Sequence, residues 1–304
     1  MKILIVGLGV QGVKRKKILK NHDIITVDVK NKSANYRNIR DVPIDKYKVV
    51  FLCVPDNEKF SLIKYCLENK KHILVEKPLW FKNLNQYYFL QNLSNKNKVL
   101  CYTAYNHRFE PHFLKMKNTI KSGTLGKLYS CRIFYGNGTA RLVKNSTWRD
   151  SGSGVLQDLA PHLMDIVRIW FGGKKFNFKI LSANKFENNS LDHVVILFNS
   201  KNFRIEIEMT MCMWKNHHTT DILGSKGSAH ITSLCKWGPT TFTLRKRKLP
   251  SGVPIEKNIK LISKDPTWKL EHDHFFKLIK NKTKTNFEND IWIFKLLKKM
   301  EKKI

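Results

Sequence analysis

Three short stretches carry side chains whose type and spacing could do chemistry. In SGSGVLQDLAPHLMD (151–165), Asp158 and His162 stand four residues apart. On one helix that spacing puts both on a single face, with about 5–6 Å between Cβ atoms. An imidazole beside a carboxylate can relay a proton near neutral pH. The same pair can equally be a structural contact inside a fold. In HILVEKPLWF (72–81), Glu76, Lys77 and Pro78 close an apolar run. A lysine there can take a proton from a hydroxyl or return one. An ordinary lysine has a pKa of about 10.4, so burial or a neighbouring cation must lower it before it acts as a base near neutrality. The competing reading of Lys77 is one solvated lysine among 56 basic residues.

The third stretch, GLGVQG (7–12), has the spacing G-x-G-x-x-G and suits phosphates. Gly7 permits a tight turn, Gly9 lets the backbone approach a pyrophosphate, and Gly12 lets the following helix pack against the preceding strand. Val10 and Gln11 open that helix, whose unpaired N–H groups and positive dipole end attract anions. Asp28 lies about 20 residues further on, at the end of a second apolar run, where a carboxylate accepts from ribose hydroxyls. It would repel a 2′-phosphate, so NAD is expected in preference to NADP, with Lys30 and Lys32 partly offsetting the repulsion.

These groups need elements to hold them. Apolar strands are predicted at 2–6, 23–28, 48–54, 72–76 and 98–106, with helices at 10–20, 57–69 and 82–94 between them. Near-continuous apolar strands alternating with helices indicate a parallel sheet covered on both faces. After Arg108 the rhythm changes. A helix over about 110–121, a turn at 123–126 and a strand at 128–135 precede a polar loop, 137–153. A helix over 157–171 starts near Asp158, because Pro161 is tolerated in a first turn, and ends at Gly172-Gly173. From 176 to 262 strands follow one another (HVVILF, FRIEIEMTMCM, AHITSL, TFTLRKRKL, EKNIKLI), which indicates a largely antiparallel sheet. Helices near 268–280 and 288–302 end the chain.

Composition narrows the function classes. The 304 residues, 42% of them hydrophobic, suffice for two domains. Lys and Arg number 56 against 24 acidic residues, a net charge of +32. The basic residues are dispersed rather than gathered in an arm or stripe, so they read as solvated surface and against nucleic-acid binding. Part of the charge can draw an anionic small molecule. No apolar run approaches the ~20 residues of a membrane helix, and KILIV is too short for a signal peptide. Six scattered cysteines, with no C-x-x-C pair and no zinc-type His cluster, read as small hydrophobes in a reducing cytoplasm, with no metal site expected.

Taken together, GLGVQG (7–12), VEKPL (75–79), YNHRFEP (105–111), SGTLGKL (122–128), WRDSGSGVLQDLAPHLMD (148–165) and DILGSKGSAHI (221–231) resemble the glucose-fructose oxidoreductase / myo-inositol dehydrogenase family in order and spacing. The resemblance implies an α/β fold: an N-terminal Rossmann NAD(P)-binding domain over 1–108, and a C-terminal α/β domain over 109–304 with an open, mostly antiparallel sheet. The last helices are free to pack back on the first domain. It implies Lys77, Asp158 and His162 as catalytic residues. Cofactor contacts are implied for Gly7, Gly9, Val10, Gln11, Gly12, Asp28, Val54, Pro55, Asn57, Glu76, Lys77 and Asn106. Substrate contacts are implied for Lys77, Arg108, Trp148, Arg149, Asp158 and His162. The implied activity is hydride transfer between NAD(P) and a hydroxyl-bearing carbon of a sugar, polyol or nucleotide sugar, the alternative being a non-catalytic NAD(H) sensor. A homo-oligomer, dimer or tetramer, built through the C-terminal sheet is implied as well. The chain departs from the family where T-P-N-x-x-H becomes Val54-Pro55-Asp56-Asn57-Glu58-Lys59, and in the run Ser151-Gly152-Ser153-Gly154.

Overall fold

The computed structural model describes residues 2–173, 177–283 and 285–304, apart from the side chain of Trp148. The apolar run β1 (Lys2–Val6) leads through the glycine turn into α1 (Val10–Ile18) and β2 (Asp23–Val27). Then come β3 (Val49–Leu52), α2 (Asp56–Glu68), β4 (His72–Glu76), α3 (Leu84–Asn97) and β5 (Cys101–Ala104). Among the described residues these strands form a five-stranded sheet, all parallel, in the order β2-β1-β3-β4-β5. The chain winds one way from β1 to β2 and the other way from β3 onward. The β1/β3 boundary is therefore the switch point, beyond whose carboxyl ends open α/β sheets take their ligands.

Side chains alternate between the two faces of this sheet. Leu4, Val50, Leu52, Ile73 and Val75 pack with Ile63 and Leu67 of α2 and with Tyr87 and Leu90 of α3. Ile3, Ile5, Val49, Phe51 and Leu74 form the opposite core with Leu19, just past α1. Both faces being apolar, both need cover.

A second set of elements starts after a short 3-10 turn at Asn106–Phe109. In order they are α4 (Pro111–Lys121), β6 (Leu128–Gly136), α5 (Ala140–Lys144), α6 (Thr147–Asp150), α7 (Val155–Asp158) and α8 (Ala160–Phe171). The strands β7 (Asn177–Asn184), β8 (His193–Ser200), β9 (Phe203–Thr210), β10 (His217–Gly224), β11 (Gly227–Thr232), β12 (Thr240–Lys246) and β13 (Ile255–Leu261) complete it. They form an eight-stranded sheet in the order β13-β12-β11-β10-β6-β9-β8-β7. It is antiparallel throughout except for β6 beside β9. Ile133, Ile196, Ile207, Ile222 and Ile231 are buried on one face. Phe113 of α4 lies against His218 of that sheet and edge-on to Trp170 of α8, whose Nε1 donates to the Phe113 carbonyl at 3.1 Å. The other face is polar: Arg132 pairs with Glu206 at 3.1 Å and Arg245 with Glu256 at 2.6 Å.

The chain ends with α9 (Thr267–Lys280) and α10 (Phe287–Glu301). It divides into two compact units, Met1–Asn106 with Trp268–Phe294, and His107–Thr267 with Lys295–Ile304. Phe275 of α9 enters the core of Ile3, Ile5 and Phe51, while Phe287, Ile291 and Phe294 of α10 enter the one opposite. Each such side chain, fully buried, contributes about 1.5–3 kcal/mol.

The structure corrects the sequence reading in three places. The expected loop 137–153 contains α5 and α6. The expected helix 157–171 is two, broken at Leu159, so Asp158 ends α7 and His162 lies in the first turn of α8. Strands β7 and β10 were absent from the predicted series.

Candidate active site

The glycine turn stands at the switch point of the parallel sheet. Gly7 has φ +91°, and a Cβ on it would collide with the Cys53 carbonyl beyond β3. A Cβ on Gly12 would collide in the same way with the Gly7 carbonyl. Gly9 differs, because a Cβ there would meet nothing within 4 Å. It precedes α1, which no side chain caps. The first N–H groups of α1, at Val10 and Gln11, thus sit at the positive end of the helix beside an open space. Val54 is half-buried and Pro55 exposed at the facing end of β3.

Asp28, just past β2, fixes this turn. Its Oδ2 accepts the Leu8 N–H at 2.6 Å, and Oδ1 accepts those of Lys30 at 2.8 Å and Asn31 at 2.7 Å. Burial alone would push its carboxyl up. The three backbone donors and the charge of Arg37 outweigh that and hold it below the usual carboxylate range. A carboxylate offers about four acceptor positions, so one is left for a ribose hydroxyl. The open space at Gly9, the uncapped helix and this carboxylate fit a dinucleotide.

Lys77 follows β4, half-buried, and its peptide bond to Pro78 is cis. Both of its neighbours are held. Glu76 Oε1 accepts from Arg15 Nε at 2.6 Å. Arg15 is fully buried under α1, and it also pairs with Glu271 at 2.9 Å and stacks on Trp268 at 4.6 Å. A guanidinium has no acceptor, so at 2.7 Å it donates to His272 Nε2, which must be neutral. On the other side, Lys59 donates to the Pro78 carbonyl at 2.7 Å and pairs with Asp56 at 2.7 Å. Asn57 is exposed and donates to Glu58 at 3.1 Å. Asn106 is buried at the end of this unit's first segment.

Arg15 was missed in the sequence, where it read as solvated charge, and Lys59 stood there only as the lysine that replaces a family histidine. The signal was there in helical spacing. Gly12, Arg15 and Leu19 share one stripe, and so do Lys59, Ile63, Cys66 and Leu67; all are buried or tightly packed.

Asp158 and His162 belong to the other unit. Asp158 Oδ2 accepts from Arg149 at 3.0 Å. The break at Leu159 removes the single helix face expected for the pair. The His162 ring lies on that of His107, centroids 3.9 Å apart. Lys236 Nζ donates to His107 Nε2 at 2.8 Å and to the Tyr135 hydroxyl at 2.9 Å. Sequence reasoning singled out neither His107 nor Lys236. Arg108 is gripped through Nε, at 3.0 Å, and Nη2 by the buried Asp165, which locks the turn after Asn106 to α8.

Arg149 rides on α6, which Asp150 anchors by accepting from Ser190 N–H at 2.9 Å and from Asn189 at 3.0 Å. Trp148 lies in the same helix, but its side chain is outside the described residues. Gly154, φ +54°, lets Val155 N–H reach the Leu191 carbonyl at 2.7 Å where a Cβ would collide.

Comparison with known proteins bears on the family and the fold. Residues 4–105 match the family model "Oxidoreductase family, NAD-binding Rossmann fold", and residues 113–230 match "GFO/IDH/MocA C-terminal domain". An uncharacterized oxidoreductase of Bacillus subtilis, YrbE, is 25% identical over 65% of this chain and 58% of its own length. Myo-inositol 2-dehydrogenase of Thermotoga maritima is 34% identical over 31% of this chain and 27% of its own length. The chain thus spans under two thirds of these curated relatives. A levoglucosan dehydrogenase solved in complex with NADH has the same fold, with TM-score 0.82, 17% identity, and 98% and 95% of the two chains covered.

Proposed function

This chain belongs to the GFO/IDH/MocA oxidoreductase family, and from that premise we propose that it is an NAD-dependent dehydrogenase or reductase acting on a CH–OH group of a sugar, polyol or nucleotide sugar. The observation that carries the reading is the glycine turn at the β1/β3 switch point, open at Gly9 and braced by Asp28. Bound NAD supplies a nicotinamide carbon that accepts a hydride from the substrate carbon or returns it.

The protein's own groups do the rest. Gly7, Gly9 and Gly12, with the N–H groups of Val10 and Gln11, hold the pyrophosphate, and Asp28 accepts a ribose hydroxyl. Val54, Pro55, Asn57, Glu76 and Asn106 line the remainder of the dinucleotide. Lys77 Nζ takes the hydroxyl proton as the carbon is oxidised, and gives it back in the reverse direction. His162 and Asp158, in the second unit, are the further acid/base candidates that the family resemblance implies, and Arg149 holds the Asp158 carboxylate. Arg108, Trp148 and Arg149 contribute to substrate binding. Relatives named for myo-inositol, levoglucosan and trans-1,2-dihydrobenzene-1,2-diol support hydroxylated small molecules as the substrate class.

The polar face of the eight-stranded sheet, with its Arg–Glu pairs, is the proposed contact between copies in a homodimer or homotetramer. A cytoplasmic setting fits six cysteines that are all free. No described helix is long and apolar enough to cross a membrane.

The test is a screen of polyols, sugars and nucleotide sugars with NAD and with NADP, read by nicotinamide absorbance. NAD-dependent turnover on at least one CH–OH compound is expected. NADH binding with no turnover across the panel would instead favour a sensor. In the same assay, Lys77→Met should bind NADH normally and lose about 10²–10⁴-fold in kcat.

A further inference from the structure

Lys77 lies past the end of β4, where ladder hydrogen bonds no longer fix the chain. Side chains take over. The carbonyls of Pro78 and Leu79 accept from Lys59 Nζ and the Tyr87 hydroxyl respectively. Lys59 is the unusual partner. It is 2% exposed, in the first turn of α2, on the stripe that continues through Ile63 and Leu67. An apolar side chain would fill that stripe without the desolvation cost of a buried ammonium. The ammonium is retained with Asp56 Oδ1 and the Pro78 carbonyl both at 2.7 Å. It thereby links the end of β3, where the glycine turn packs, to the residue that follows Lys77.

We propose that Lys59 is a positioning residue: by gripping the Pro78 carbonyl it sets the place from which Lys77 presents its amine to substrate. The proposal rests on the reading of Lys77 as the proton carrier. Asp56 is the counter-charge that keeps the Lys59 ammonium buried and aimed. Arg15 does the matching task on the other side through Glu76. The Lys59 ammonium is committed to the Pro78 carbonyl and Asp56, so its removal should alter the rate rather than the affinity.

The experiment compares Lys59→Met, Lys59→Arg and the double variant Asp56→Asn/Lys59→Met with wild type and Lys77→Met. The double variant leaves no unpaired carboxylate and remains informative if Lys59→Met fails to fold. One readout needs no substrate: the rate at which an acylating reagent labels Lys77, resolved by mass spectrometry against Lys64 on the same helix α2. Others are NADH affinity by fluorescence, and kcat and KM on the compound found in the screen.

Expected for the double variant are Lys77 labelling changed about threefold or more, NADH affinity within about twofold of wild type, and kcat down about 10-fold or more at unchanged KM. Lys59→Arg, which keeps the charge and the donor, should recover most of the loss. Wild-type labelling of Lys77 in the double variant overturns the proposal, as does wild-type kcat there beside an inactive Lys77→Met. If Lys77→Met itself turns over normally, the reading of Lys77 and this proposal fall together.

Discussion

The carboxylate of Asp28 accepts the backbone N–H of Leu8 at 2.6 Å, so the residue proposed to select the nucleotide also braces the turn proposed to hold its phosphates. Asp28→Asn keeps one oxygen for Leu8 but loses the charge. NAD affinity should fall, and the preference for NAD over NADP should narrow by about 10-fold, measured as the ratio of two dissociation constants. Because the folded carboxyl titrates below its unfolded value, its stabilisation is complete above about pH 4 and is lost as pH falls through the lower folded value. The Tm gap between wild type and Asp28→Asn should therefore close on acidification below about pH 4.

Gly9 and Gly12 separate binding from folding. Gly9 has φ −69° and free space where a Cβ would go. Gly9→Ala should leave Tm nearly unchanged while weakening NADH binding about 10-fold or more, because the methyl occupies the pyrophosphate's approach. Gly12→Ala forces a methyl into the Gly7 carbonyl and should cost about 1–3 kcal/mol in urea unfolding.

Arg15→Met would strand two carboxylates, Glu76 and Glu271, around an apolar side chain. Breaking one half of a buried pair costs about 3–5 kcal/mol, so a large drop in Tm is expected. Arg15→Met/Glu271→Gln should recover part of it. Full stability in Arg15→Met alone would contradict the geometry.

Burial depresses four histidines, His72 among them, and three of these strongly: His112 to about 4 and His218 and His272 to about 3. Each of these three stays neutral in the fold while the unfolded chain takes a proton below about pH 6.5. Their stabilisation is thus complete above about pH 6.5 and drains as pH falls toward 4. Each contributes a slope of about 1.4 kcal/mol per pH unit. Urea unfolding between pH 6.5 and 4.5 should show that slope, shallower in His218→Gln by one histidine's share.

The parallel sheet was legible because strands buried on both faces are written as unbroken apolar runs, such as VVFL in β3. The glycine turn was legible because its spacing answers to one geometry. Other parts follow rules that periodicity does not capture. The inward positions of β10 include His218 and Thr220, both fully buried, so its alternation is hidden behind polar letters. At the sheet's edge, β7 is only half-buried. Helices α5 and α6, with five and four residues, are too short to show a repeat. Within the site, Asp28 stood out by its distance from Gly7. Arg15 stands in the run KRKK, where a buried cation looks the same as its solvated neighbours until helical phase is counted.

The return of α9 to the sheet that begins at residue 2 has a consequence for biogenesis. On the ribosome, Ile3, Ile5 and Phe51 emerge more than two hundred residues before Phe275, which shares their core, and Arg15 precedes Glu271 by a similar stretch. The nucleotide-binding unit is therefore discontinuous in synthesis. A nascent chain released short of α9 would keep a partly uncovered apolar sheet face and a guanidinium lacking one of its two counter-ions, a natural substrate for chaperones and proteases.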